Sequence, residues 1–139
     1  MSRSRRAANE LAEERLQQNH TNDDDVLAVL RRWYFKHNTG RKNVIPEGNT
    51  SVQSDTLGAV RTRTGSVVTT RLTRKFQFVF NLLCRWLRQN IPTMYQMPFP
   101  FTSISLNYGY AARRHRDGYN EGPSMLKMLG DFFGGTLLY

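Results

Sequence analysis

The residues best suited by type and spacing to do chemistry lie near the end of the sequence, at His115 and Asp117. In an extended segment residues i and i+2 project to one side, so an imidazole nitrogen and a carboxylate oxygen can reach the same metal ion. A histidine and a carboxylate so placed are two-thirds of the 2-His-1-carboxylate triad, which holds Fe(II) and leaves positions open for other ligands. A bare His-x-Asp is a weak signal; read alone, it is a surface histidine paired with an aspartate in a loop. Arg113, Arg114 and Arg116 surround the pair. They read either as a draw for an anionic substrate or nucleic-acid backbone, or as a solvated basic loop.

Several elements must position this pair. Phe101–Tyr108 alternates, with Thr102, Ile104 and Leu106 on one side and Ser103, Ser105 and Asn107 on the other. That period predicts a strand leading into the motif. Ser124–Leu129 predicts a second strand, and Gly134-Gly135 a turn that opens a third over Thr136–Tyr139. This last run is apolar and uncharged, and is expected to pair with another chain if left open.

Upstream, Asn22 before Asp23, Asp24 and Asp25 is a strong N-cap and predicts a helix over 23–38. Residues 40–55 read as a polar loop. Leu57–Thr62 and Ser66–Leu72 flank Arg63-Thr64-Gly65 and predict a hairpin. The clearest helix is 73–90. Its apolar arc is Phe76, Val79, Phe80, Leu83 and Leu87, opposite Arg74, Gln77, Asn81, Arg85 and Arg88. On that reading Leu83→Asp is damaging and Arg85→Ala is mild. Pro92, Pro98 and Pro100 interrupt regular structure beyond this helix. Residues 1–22 form a basic and polar arm, a marginal helix that buries little.

Composition bounds the function classes. The 139 residues fit one domain, carrying 20 Lys+Arg against 11 Asp+Glu for a net charge of +9. Residues 1–25 hold four basic and six acidic side chains, and the remainder sixteen and five. So basic a body suits an anionic partner. The longest apolar run, Val26–Leu30, is far below the roughly 20 residues of a membrane-spanning helix. The basic start at Arg3, Arg5 and Arg6 lacks the apolar stretch of a secretory signal, so an intracellular protein is expected. Nucleus and cytoplasm both stay open. Cys84 is the sole cysteine, which excludes a disulfide framework and a cysteine zinc site; among Leu82, Leu83 and Trp86 it reads as a buried, inert thiol.

In order along the chain stand Asn107, Gly109, His115-x-Asp117, then Asn120, Gly122 and Ser124. Gly130-Asp131-Phe132 and Gly134-Gly135 come after them. With this succession the chain resembles the Fe(II)- and 2-oxoglutarate-dependent oxygenases, particularly the branch near the TET and J-base thymine hydroxylases. The resemblance covers about residues 101–139. It implies a double-stranded β-helix (jelly-roll or cupin-like) core, and with the helices read upstream the expected fold is α+β, N-terminal helices packed on a partial core of that kind. It implies His115 and Asp117 as iron ligands, with Fe(II) and the cosubstrate 2-oxoglutarate and O2 as partners. Asn107 is implied as a contact of the 2-oxoglutarate carboxylate, or it serves the loop backbone as a strand-end residue. Tyr110 lines the pocket or packs.

The pattern departs from the family in one respect. A third ligand, a downstream histidine followed by an Arg or Lys for 2-oxoglutarate, has no counterpart in the 22 residues after Asp117. His20 and His37 lie upstream in helical predictions. The expectation is therefore that 23–139 is the N-terminal part of an oxygenase domain, truncated in its β-helix. The contrasting function is a non-catalytic basic module that binds nucleic acid, or a structural relative of the fold.

Overall fold

The computed structural model describes residues 3–92, 99–118 and 120–137. It is α+β: helices α1 (Arg5–Leu16), α2 (Asp23–Arg32), α3 (Arg71–Lys75) and α4 (Gln77–Gln89), with strands β1 (His37–Asn38), β2 (Val52–Arg61), β3 (Val67–Thr69) and β4 (Ser103–Tyr108). The strands pair antiparallel where register is defined, β1 and β3 both with β2, and β4 also pairs with β2. Two compact units result, Met1–Tyr34 with Thr56–Leu106 and Phe35–Asp55 with Asn107–Tyr139.

The first unit is built around α1, which packs on α4 and α2. Rather than a marginal helix that buries little, α1 buries Ala8, Leu11 and Ala12. The small alanine side chains let neighbouring helices approach closely, which a reading by propensity alone misses. Ser4 caps its start through the Ala7 N–H. At α2 the predicted cap is present as a reciprocal capping box: Asp25 N–H donates to Asn22 Oδ1 at 2.9 Å, and Asn22 N–H donates to Asp25 Oδ2 at 3.0 Å.

Helix α2 ends at Arg32 rather than near residue 38, because Trp33 turns extended at ψ 132°. The turn buries Trp33 completely, its ring edge-on to Phe76 at 5.4 Å, with the Arg5 guanidinium 5.3 Å from its face. Tertiary packing overrides helical periodicity there. The predicted helix 73–90 is likewise two helices, broken at Phe76 (φ −126°, ψ 58°). Phe76 offers α4 no side-chain cap, so Asn9 of α1 supplies one. Its Oδ1 accepts from the N–H groups of Phe78 and Val79 at 3.1 and 3.2 Å.

The core face of α4 consists of Val79, Leu82, Leu83, Cys84 and Trp86. Leu83 is inward as predicted. Arg85 is not a solvated residue. Its guanidinium donates to Thr21 Oγ1 at 2.6 Å, to the Leu16 carbonyl at 3.3 Å and to the Arg15 carbonyl at 3.2 Å. Burial pushes the Cys84 thiol above its usual range, partly offset by the Arg88 guanidinium.

The predicted hairpin is present in shortened form, β2 and β3 joined by a turn in which Gly65 takes φ +88°, while Arg71 and Leu72, expected in its second strand, open α3. Gly58 in β2 lies at φ +96°, where a Cβ would collide with the Thr102 carbonyl; the Ala59 N–H donates to that same oxygen at 2.7 Å. β4 shows the predicted alternation, with Leu106 buried between exposed Ser105 and Asn107.

In the second unit, Val44, Ile45 and Val52 form a small apolar cluster against which Tyr110 packs. Phe35 stacks on Tyr108 at 5.2 Å. The strand predicted at 124–129 is absent, and residues 136–137 are not in a strand; Leu138 and Tyr139 lie outside the described residues. A strand needs a ladder partner, and this segment finds none among the described residues. Leu126, Phe132, Phe133 and Leu137 accordingly stand exposed.

Three substitutions on α4 test this packing. Leu83→Asp, which buries an unpaired charge, is expected to abolish cooperative folding. Arg85→Ala is expected to cost about 2–3 kcal/mol, because two helix-end carbonyls and Thr21 lose a charged donor. Arg88→Ala, on the exposed face, is expected to stay within about 0.5 kcal/mol of the parent. Urea denaturation of the three variants checks the order; equal loss at 85 and 88 would show that the Arg85 contacts carry no stability.

Candidate metal centre

The chain reaches the motif from β4 through Asn107, Tyr108 and Gly109, the last at φ +65°. Asn107 is exposed, and its Oδ1 accepts from the Tyr110 hydroxyl at 2.7 Å. Tyr110 is thereby fixed at both ends, its ring on the Val44 cluster and its hydroxyl on the strand end. Burial pushes that hydroxyl above its ordinary range, while the Arg41 guanidinium draws it partly back.

Beyond Tyr110 the segment is irregular, yet anchored. The Arg113 N–H donates to the Val44 carbonyl at 3.0 Å, and the Arg113 carbonyl accepts from His115 Nδ1 at 2.6 Å. One residue's backbone therefore joins the apolar cluster to the imidazole. His115 Nε2 lies 3.2 Å from Asp117 Oδ1, with the side chains 24% and 61% exposed, so solutes can reach the pair.

The hydrogen bonding restricts what the pair can be. A carbonyl only accepts, so the proton between His115 and Arg113 belongs to Nδ1. In a neutral imidazole Nε2 then presents a lone pair, and the carboxylate facing it is also an acceptor. Two arrangements satisfy both atoms. A second proton on Nε2 gives an imidazolium–carboxylate pair, or a cation is held between Nε2 and Oδ1.

The geometry accommodates the cation. Two donors each about 2.1 Å from one metal ion, at right angles, lie about 3 Å apart. A backbone carbonyl on the far ring nitrogen is the usual orienting partner of a metal-bound histidine. The pair fits two neighbouring coordination positions, but no group of three His, Cys, Asp or Glu side chains converges among the described residues. His37, on β1, is 3.4 Å from Ser51 Oγ, while His20 lines a hollow of about 520 Å³ in the first unit with Asp23 and Asp24. Asp23 there is engaged by the Trp86 indole N–H at 2.8 Å.

Of the three arginines, Arg113 lines a shallow hollow of about 270 Å³ in the second unit, with Lys42, Thr39, Asn49 and Thr50. Arg114 and Arg116 are exposed. Lys42 is the cation that sequence reasoning missed. The apolar pair Val44-Ile45, unusual in so polar a stretch, was the available signal that this loop folds back onto something.

Comparisons of the chain with protein-family models, curated proteins and solved structures give no match. No helix of the described residues is long and apolar enough to cross a membrane.

Tyr110 yields a pH test. A phenol whose folded ionisation lies above its unfolded one favours the folded state while protonated. That contribution is complete below the unfolded value of about 10 and is lost as pH rises through the folded value. Stability is therefore expected to fall across alkaline pH, and Tyr110→Phe to flatten the fall. Urea midpoints collected from neutral pH upward check this; identical slopes for parent and variant would remove Tyr110 as the cause.

Proposed function

We propose that this chain belongs to an Fe(II)- and 2-oxoglutarate-dependent oxygenase, with His115 and Asp117 as two of the iron ligands. One observation supports this above the others: His115 Nε2 and Asp117 Oδ1 stand 3.2 Å apart while Nδ1 is tied to the Arg113 carbonyl. That carbonyl keeps the proton on Nδ1 and turns the Nε2 lone pair towards the carboxylate. The ordered succession of Asn107, Gly109, His115-x-Asp117 and the later glycine motifs adds the family.

On this reading the core is a double-stranded β-helix to which β2, β3 and β4 contribute. The apolar side chains of 126–137 are the material for its further strands. Bound iron would supply O2 activation, with 2-oxoglutarate as reductant. The residues of this chain bind and orient. His115 and Asp117 would hold the metal, and Arg113 with Lys42 offers positive charge to an anionic group in the hollow that these two line. Arg114 and Arg116 extend that charge on the surface. Asn107 and Tyr110 frame the approach from β4, and the 2-oxoglutarate carboxylate is the contact assigned to Asn107.

Anaerobic titration with Fe(II), and with Co(II) as a spectroscopic stand-in, tests the assignment. Saturable binding is expected that His115→Ala and Asp117→Ala each weaken at least about tenfold, a loss of about 1.4 kcal/mol. An unchanged isotherm in either variant would overturn the ligand assignment. If no metal binds and both variants leave melting unchanged, the pair is an exposed imidazolium–carboxylate contact of the kind worth little to stability.

A further inference from the structure

The β2–β3 hairpin lies away in sequence from the residues assigned to iron, and the reading of it is independent of them. Its ladder has a defined register, Ala59 opposite Thr69, Val60 opposite Val68 and Arg61 opposite Val67. Thr62 N–H donates to the Ser66 carbonyl at 2.8 Å, and Thr70 N–H donates to the Gly58 carbonyl at 2.9 Å. Antiparallel pairs alternate, so residues 66, 68 and 70 spend their main-chain groups on β2, while 67 and 69 turn theirs outward. On that outer edge the Thr69 carbonyl accepts from Arg74 Nη1 at 3.1 Å. The N–H and C=O of Val67 remain directed to solvent.

An open edge is usually blunted by a proline, a lysine or a bulge. Here the edge is kept short, at three residues, and its Thr69 carbonyl is taken by Arg74, but the Val67 main chain is left open. Val67 is 66% exposed and Val68 42%. Around them Arg61, Arg63, Arg71 and Arg74 are all exposed, and residues 56–116 contain not one Asp or Glu. A second copy of this edge would bring arginines against arginines, which disfavours self-pairing. A nucleic acid would satisfy the charge but leave the valines and the outward amide without partners. Moreover, hairpin residues 61–71 include no aromatic ring on which a base could stack. An extended acidic peptide satisfies all three features: its backbone pairs with Val67, its apolar residues cover Val68 on one face, and its carboxylates meet Arg61 and Arg63 on the other, the face of Val67.

We propose that the outer edge of β3 binds an acidic, extended peptide segment as an added strand. The segment alternates apolar and acidic residues, and the Val67 main chain fixes its register.

The test is fluorescence anisotropy on the full 139-residue chain, with a fluorescein-labelled peptide of alternating Glu and Val as probe. Binding is expected that weakens with added salt and is lost for an alternating Lys and Val peptide. Val67→Pro removes only an outward donor, so the ladder to β2 persists, yet affinity is expected to fall at least about tenfold. Arg61→Gln with Arg63→Gln is expected to weaken binding about tenfold at low salt. Far-UV circular dichroism confirms folding of each variant. Should Val67→Pro fail to fold, the Glu-Val peptide N-methylated at alternate residues poses the same question to the parent chain and is expected not to bind. Glu-Val binding indifferent to N-methylation, or absent, would overturn the proposal. So would a DNA duplex that binds through these arginines where the peptide does not.

Discussion

The guanidinium of Arg85 is the tie on which the helical unit depends. At the end of helix α1 the Leu16 carbonyl, and the Arg15 carbonyl that also takes the Gln18 N–H at 3.2 Å, both accept from this one side chain. Its third contact, Thr21 Oγ1, fixes the connection between α1 and α2. Along the same face of α4, Gln89 accepts from the Thr21 N–H and the Trp86 indole donates to Asp23. That connection is thus held at three heights by one helix. The capping box at Asn22 starts α2 from a point already set, and the buried Asp25 carboxylate faces Arg15 Nη1 at 3.6 Å. Asn9 returns the favour by capping the start of α4. Helices α1 and α4 therefore satisfy each other's exposed ends.

How much of this was legible in the sequence depends on the range over which each feature is decided. The capping box joins residues three apart, and the hairpin turns on a glycine at its tip, so local chemistry announces both. The alternation of β4 and the inward face of Leu83 come from periodicity. Arg85 could not be read in this way, because its partners are 64 to 70 residues away. An arginine opposite an apolar arc looks solvated until the helix that covers it is known. The ends of α2 and α3 were hidden for a related reason. Trp33 and Phe76 leave helical geometry to meet each other, a gain that neither stretch displays alone.

At the candidate centre, the pairing of His115 with Asp117 was legible from spacing, although that spacing presumes a strand and the segment is an irregular loop. The side chains converge because the Arg113 backbone holds the loop, not because a sheet does. That anchor lies in a contact between Arg113 and Val44, 69 positions apart, and it carries Lys42 into the same hollow. The downstream strands were read from composition that is apolar enough, but a ladder requires a partner as well as a pattern.

The anchor at Arg113 has an evolutionary consequence. Two main-chain bonds of this residue set the imidazole, its carbonyl directly on His115 Nδ1 and its N–H by tying the loop to the Val44 carbonyl, and neither uses the guanidinium. The side chain at 113 is therefore free to mutate without turning the ring of His115, so long as the replacement keeps its amide proton. Charge in the hollow and orientation at the histidine are inherited separately. A lineage can change which anions the hollow admits by drifting at one codon while the imidazole keeps its aim.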